Sequence, residues 1–211
     1  MATLKNGILS GFSGKVGNVV GYQVGENFYI RSLPKARKSF TEKERINQAK
    51  FKFVQTYLHP FADVLKAGFK DHYTKTGGFR AALAYTRKEV LKGDDAHFYI
   101  DPAALKISGG LLEQAINPEV VFGEDREVLI IWDTTGINSK NEADQLMLLI
   151  YDAENFNALT KVFNGAFRKD GNLKVKLKDN MHGVKLDIYI GFVAADRSAQ
   201  SDSQYLGTFD V

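Results

Sequence analysis

The stretch "GFSGKVGNVVGYQVGENFYIRSLPKARK", residues 11–38, places glycine at 11, 14, 17, 21 and 25 and then turns basic. Glycine-rich loops hold phosphate because successive backbone N–H groups can wrap an anion. A Walker-type loop needs glycine five positions before a Gly-Lys pair and a hydroxyl residue after it; around Gly14-Lys15 those positions are Leu9 and Val16. The dinucleotide pattern GxGxxG is also absent, since Gly11, Gly14 and Gly17 are each separated by two residues. Gly14, Gly17 and Gly21 therefore read as strand glycines that let another backbone or a flat ring come close.

Other groups able to do chemistry are present without the spacing that chemistry needs. Gly11-Phe12-Ser13-Gly14 closes one residue too early for a nucleophile elbow. His59, His72, His97 and His182 include no pair three or four residues apart, the spacing that puts two ligands on one helical face. Asp94-Asp95 and "GEDRE" at 123–127 fall in turn-like segments, where solvated charge is the ordinary role of carboxylates. No catalytic residue, metal ligand or cofactor is assigned.

The basic region is the stronger signal. Arg31, Lys35, Arg37, Lys38, Lys43, Arg45, Lys50 and Lys52 lie close in sequence beside Phe28 and Tyr29. Lysine and arginine can contact phosphates while aromatic rings stack on bases, so segment 31–52 is a candidate nucleic-acid surface. Against that reading, no known nucleic-acid motif is present, and Phe51 and Phe53 read as core residues of a helix.

Composition sets the frame. With 211 residues, 44% hydrophobic and 25% charged, the chain can bury a core without staples. It has no cysteine, which excludes disulfides, thiolate zinc sites and a cysteine nucleophile. Its most apolar stretches, "VLIIW" and "LMLLIY", fall far short of the about 20 residues that span a bilayer, and no membrane insertion is expected. The first twenty residues lack a signal-peptide core, so the expected location is the cytoplasm. The net charge of +3 hides a division: residues 1–92 hold 17 Lys+Arg against 6 Asp+Glu, whereas residues 93–211 hold 11 against 19. Two units with different surfaces are expected, 1–99 and 100–211.

The elements that must position these groups follow from periodicity. Val16, Val20, Tyr22 and Val24 share one alternation phase and Gly17, Gly21 and Gly25 the other, so 18–24 and 28–32 read as a hairpin across "GEN". Thr41 and Glu44 fit a capping box that opens a helix. Ile46, Ala49, Phe53, Tyr57, Phe61, Leu65 and Phe69 would form its buried face, with a break at Pro60. A second helix is predicted over 79–91. Strands are predicted at 103–108, 119–122, 127–133, 145–152, 159–168, 172–178, 185–194 and 203–210, the spacing of an antiparallel sandwich or barrel.

Two resemblances follow from these motifs. The C-terminal hundred residues resemble a fibronectin type III or immunoglobulin-like sandwich, with Trp132 of "VLIIWDTT" as the core tryptophan on an early strand and Tyr189 of "LDIYIGFVAAD" at a strand-F position. "GFSGKVGNVVGYQVGENFYIRSLPK", "SFTEKERINQAKFKFV", "LKISGGLL", "EVLIIW", "FRKDGNLKVKL" and "SDSQYLGTFDV" together resemble an uncharacterised bacterial protein family, a domain of unknown function. That resemblance implies a fold and no activity.

The expected fold class is α+β: an N-terminal glycine-rich β-hairpin with a helical region, then a C-terminal antiparallel β-sandwich of fibronectin type III type. The leading functional expectation is a non-enzymatic structural or protein-binding component, acting by self-association or with a protein partner. Its candidate interaction residues are Gly14, Gly17, Gly21, Arg31, Lys35, Arg37, Lys38 and Lys43. Nucleic-acid binding by segment 31–52 stands second, and an enzyme third.

Overall fold

Glycine decides the first turns of the chain. In the computed structural model, which describes residues 3–4, 11–36, 39–71, 77–95 and 97–211, β1 (Thr3–Leu4), β2 (Phe12–Val16), β3 (Val19–Val24) and β4 (Asn27–Ser32) form an antiparallel sheet in that order. Two-residue loops join β2 to β3 and β3 to β4, each with glycine first: Gly17 at φ +54 and Gly25 at φ +61. This is the left-handed position that tight hairpin loops reserve for glycine. The predicted hairpin is therefore present as β3 and β4, with two further strands, β1 and β2, ahead of it. Contacts divide the chain into compact units Met1–Arg45 and Ile46–Val211.

The loop at Gly17 also corrects a face assignment. Val16 pairs directly with Val19, and Lys15 with Val20. Directly opposed residues share a face, so Val16 lies with Gly21 and not with Val20, Tyr22 and Val24. A period-2 count carried through a hairpin loop does not hold across the turn.

Helix α1 (Glu42–Leu58) opens with the predicted capping box: Glu44 N donates to Thr41 Oγ1 at 3.3 Å, and Thr41 N donates to Glu44 Oε2 at 3.0 Å. The expected buried face holds from Tyr57 through Phe61, Leu65 and Phe69 and differs nearer the helix start. Val54, Tyr57 and Leu58 are buried, whereas Ala49 and Phe51 are exposed and Ile46 and Phe53 only half-buried. Pro60 breaks the helix as expected, replacing it with a 3-10 turn (His59–Phe61) before α2 (Ala62–Gly68). Helix α3 (Gly78–Tyr85) widens into a π turn over Thr86–Val90, so Leu91 begins β5 (Leu91–Gly93), paired with β6 (Phe98–Ile100), rather than ending a helix.

The predicted strand at 103–108 is absent. Asp101 caps a 3-10 turn (Pro102–Ala104) by accepting from Ala103 N, and the following residues pack irregularly on α2, with Gly109 N donating to Gly68 O. Then come β7 (Ile116–Phe122), β8 (Glu127–Asp133), β9 (Gln145–Asp152), β10 (Asn157–Lys161), β11 (Asn172–Lys176), β12 (Lys185–Val193) and β13 (Gln204–Asp210). The strand predicted over 159–168 stops at Lys161. They form two antiparallel sheets, β11-β8-β7 and β10-β9-β12-β13. The chain is thus mixed helix and antiparallel sheet, with no closed barrel among the described residues.

Two cores explain the two kinds of apolar strand. Val128, Ile130 and Trp132 of β8 meet Leu146, Leu148 and Ile150 of β9 and Leu186, Ile188, Ile190 and Phe192 of β12 between the sheets. The opposite face of the four-stranded sheet, with Leu149, Tyr151 and Tyr189, packs on Val54, Leu58, Phe61, Leu65 and Leu83 of the helical region. Strand β8 has one solvated face and so alternates, with Ile131 exposed. Strand β9 is covered on both faces and reads as continuous apolar sequence.

Candidate functional site

The registers of β2, β3 and β4 define two faces. Lys15, Val20, Tyr22, Val24, Tyr29 and Arg31 share one; Gly14, Val16, Val19, Gly21, Phe28 and Ile30 share the other. On the first face Tyr22 and Tyr29 stack as a cross-strand pair, centroids 5.5 Å apart, and the Arg31 guanidinium lies 5.6 Å from the Tyr22 ring. On the second, Gly14 and Gly21 are cross-strand partners. A Cβ at Gly21 would run into the Phe12 carbonyl and ring. The bare strip is therefore covered by an aromatic ring of the sheet itself, which places Gly21 in the sheet's own packing. Gly17 has open space where a Cβ would stand and serves the loop.

What remains uncovered is apolar. Val16 is 51% exposed and Ile30 64%, and Val19, Tyr22, Val24, Phe28, Tyr29 and Leu33 are exposed too. Among the described residues of its own unit, no second layer covers either face. These side chains lie on both faces of a thin sheet, where apolar surface is stabilised only by something that covers it.

The described basic residues belong to different elements. Arg31 is on the sheet face; Lys35 follows β4 and is exposed; Lys43 and Arg45 are exposed near the start of α1. Lys50 pairs with Asp95 at 2.7 Å. Arg37 and Lys38 lie outside the described residues. Phe51, expected in a core, is exposed with the Arg87 guanidinium 5.5 Å from its ring, whereas Phe53 packs edge-on against Phe98.

Elsewhere, charged and polar groups hold the fold. Arg168 and Asp144 form a buried ion pair at 3.2 Å, and Arg168 also donates to Glu113 O and Gln114 O while stacking 3.8 Å from the Phe192 ring centroid. Burial pulls the guanidinium's pKa down and pushes the Asp144 carboxyl up, each opposed by the partner charge. Burial also raises Asp187, against the hydrogen bonds from Thr208 and Tyr205. Tyr189 faces the helical core, where its hydroxyl donates to Pro102 O at 2.9 Å; burial raises it as well as Tyr57 and Tyr151.

The sequence motifs "LKISGGLL" and "SDSQ" meet in space. Ile107 N donates to Ser203 Oγ, Gly110 N to Asp202 Oδ1 and Lys106 to Asp202 Oδ2, while Gln200 Nε2 donates to Asp71 Oδ2. This seam stands in for the ladder that 103–108 does not form. No sequence signal at either motif alone points to the other.

A family model runs through these elements. The chain belongs to a family of unknown function, DUF6266. The family model matches residues 11–207, spanning both the exposed sheet and the two-sheet core. No curated protein and no solved structure matches the DUF6266 chain. Among the described residues, the backbone N–H of His97 donates to Asp94 Oδ1 in a turn, His182 Nδ1 lies 3.3 Å from Val211 O, and Arg126 pairs with Asp179. His59 is exposed in the turn before α2, and His72 lies outside the described residues. Among the described residues, no group of three or more His, Asp or Glu could hold a metal ion, and no helix is long and apolar enough to cross a membrane.

Proposed function

We propose that this DUF6266 chain is a non-enzymatic, protein-binding component whose N-terminal sheet is its docking surface. The observation that carries this reading is the exposure of eight large apolar side chains between Val16 and Leu33. Apolar surface of this kind is stabilised when a second protein removes it from water, at roughly 25 cal/mol per Å² buried. The Arg31–Tyr22 contact supports a surface that is rigid before binding, because the cation and the stacked tyrosines already restrain one another.

A fibronectin type III-like sandwich in the C-terminal half is part of the proposal. Its support is the strand order: taking β7 to β13 as A, B, C, C′, E, F and G gives sheets A-B-E and C′-C-F-G, the immunoglobulin-type arrangement. Trp132 lies on the second of these strands, in the inter-sheet core. Such modules serve adhesion by analogy of fold alone.

A second reading, nucleic-acid binding, draws on the first face of the sheet, where Tyr22, Tyr29, Arg31 and Lys15 combine ring surface with positive charge. One measurement separates the two: molar mass by light scattering at low and physiological salt, with the 260 to 280 nm absorbance ratio of the same peak. The protein-binding reading expects a salt-resistant oligomer free of nucleic acid that becomes monomeric in Val16→Asp/Ile30→Asp, or a monomer in which that variant abolishes binding to an isolated partner protein. Nucleic acid that co-elutes at low salt and is lost in Arg31→Glu would overturn it in favour of the second reading.

A further inference from the structure

Strands β10 and β11 end their respective sheets, so each has one edge with no strand paired to it among the described residues. The two edges line one cleft of about 350 Å³, formed by Ala158, Leu159, Thr160 and Lys161 of β10, Lys174, Val175 and Lys176 of β11, and Lys178 just beyond. Four lysines surround it. Lys174 is held by Glu127 at 2.5 Å, and Lys178 Nζ donates to Ala158 O at 2.7 Å, bridging the opening. Lys161 and Lys176 have no carboxylate in ion-pair reach among the described residues.

We propose that this cleft binds an extended acidic peptide by strand addition, independently of the N-terminal sheet. Backbone N–H and C=O groups on a free edge recognise an incoming strand, and the residues beside the edge set its side-chain preference. Lysines at an edge disfavour indiscriminate pairing with neutral or basic strands. The same charges accept a strand whose alternate side chains are carboxylates, so exclusion and selection have one source. Val175 and Leu159 give the apolar floor against which the intervening side chains of that strand would pack.

Fluorescence anisotropy with a labelled octapeptide of alternating Glu and Val tests the proposal on the full chain. Binding is expected, weakened about tenfold or more in Lys161→Glu/Lys176→Glu, whose fold is checked by circular dichroism. The same peptide N-methylated at alternate residues keeps its charge but loses edge hydrogen bonds, and it should also bind about tenfold or more weakly. Equal binding of the methylated peptide would overturn strand addition, as would inorganic polyphosphate binding as tightly as the octapeptide. Absence of octapeptide binding at low salt would overturn the site altogether.

Discussion

The sheet of β1–β4 and the sheet of β10-β9-β12-β13 have the same number of strands and opposite surroundings. In the first, β4 is exposed at every position; in the second, every residue of β12 after Lys185 is buried. Both are rich in strand-forming residues, so β-propensity does not separate them. The difference lies in what covers them. The four-stranded sheet of the C-terminal unit has helices on one side and β11-β8-β7 on the other, whereas the N-terminal sheet covers Gly21 with its own Phe12 and has Val16, Val19, Tyr22, Val24, Phe28, Tyr29 and Ile30 exposed.

That contrast can be broken most forcefully at the buried ion pair. Arg168→Ala removes the counter-charge of Asp144 and the donors to Glu113 O and Gln114 O, leaving a carboxylate in a site 4% exposed. A loss of about 3–5 kcal/mol is expected, measured by urea unfolding. A loss below about 1 kcal/mol would mean that water reaches Asp144 and that the pair is not a lock.

The direct comparison uses isoleucine in both sheets. Ile188→Ala, fully buried between the layers, should cost about 2–5 kcal/mol. Ile30→Ala, 64% exposed, should stay within about 0.5 kcal/mol of the parent while weakening partner binding. Equal losses of stability would show that the N-terminal sheet is covered in solution.

The smallest expected effect is a pH dependence confined to the C-terminal unit. Because burial raises the folded-state pKa of Asp187 above its unfolded value, the folded chain holds the proton more tightly. The cost of ionising it is fully present above the raised folded value and is relieved as pH falls toward the unfolded one, about 3.9. Asp187→Asn should remove that contribution and alter the slope of stability against pH in this window. Thermal unfolding of both proteins across it measures the effect, and parallel curves would show that Asp187 is ionised without penalty.

Much of the local structure was legible because its causes are local. Thr41 and Glu44 mark their helix start by reciprocal hydrogen bonds three residues apart, and Pro60 ends it by lacking an N–H. The alternation of Val128, Ile130 and Trp132 named the inward face of β8. The reading went astray where a distant partner decides. Val16 changed face because a two-residue loop reverses the chain, and 103–108 gave up its ladder to a seam with residues 200–204 nearly a hundred positions away. Of the candidate interaction residues, Gly14 and Gly21 proved to be cross-strand partners, Gly17 a loop glycine, and Arg31 a ring-stacked cation. The lysines of "KVFNGAFRKDGNLKVKLK" escaped notice because only the meeting of two sheet edges collects them.

By itself, then, the sequence determined most of the strands and helices, the helix break at Pro60, the hairpin between β3 and β4 and the absence of thiol chemistry, since each follows from the geometry or composition of a few neighbouring residues. Only the tertiary structure decided which apolar faces are covered. Burial is a property of the surface that arrives from elsewhere in the chain, so "LMLLIY" between two layers and "NFYIRS" on an open sheet could not be told apart until both had their neighbours.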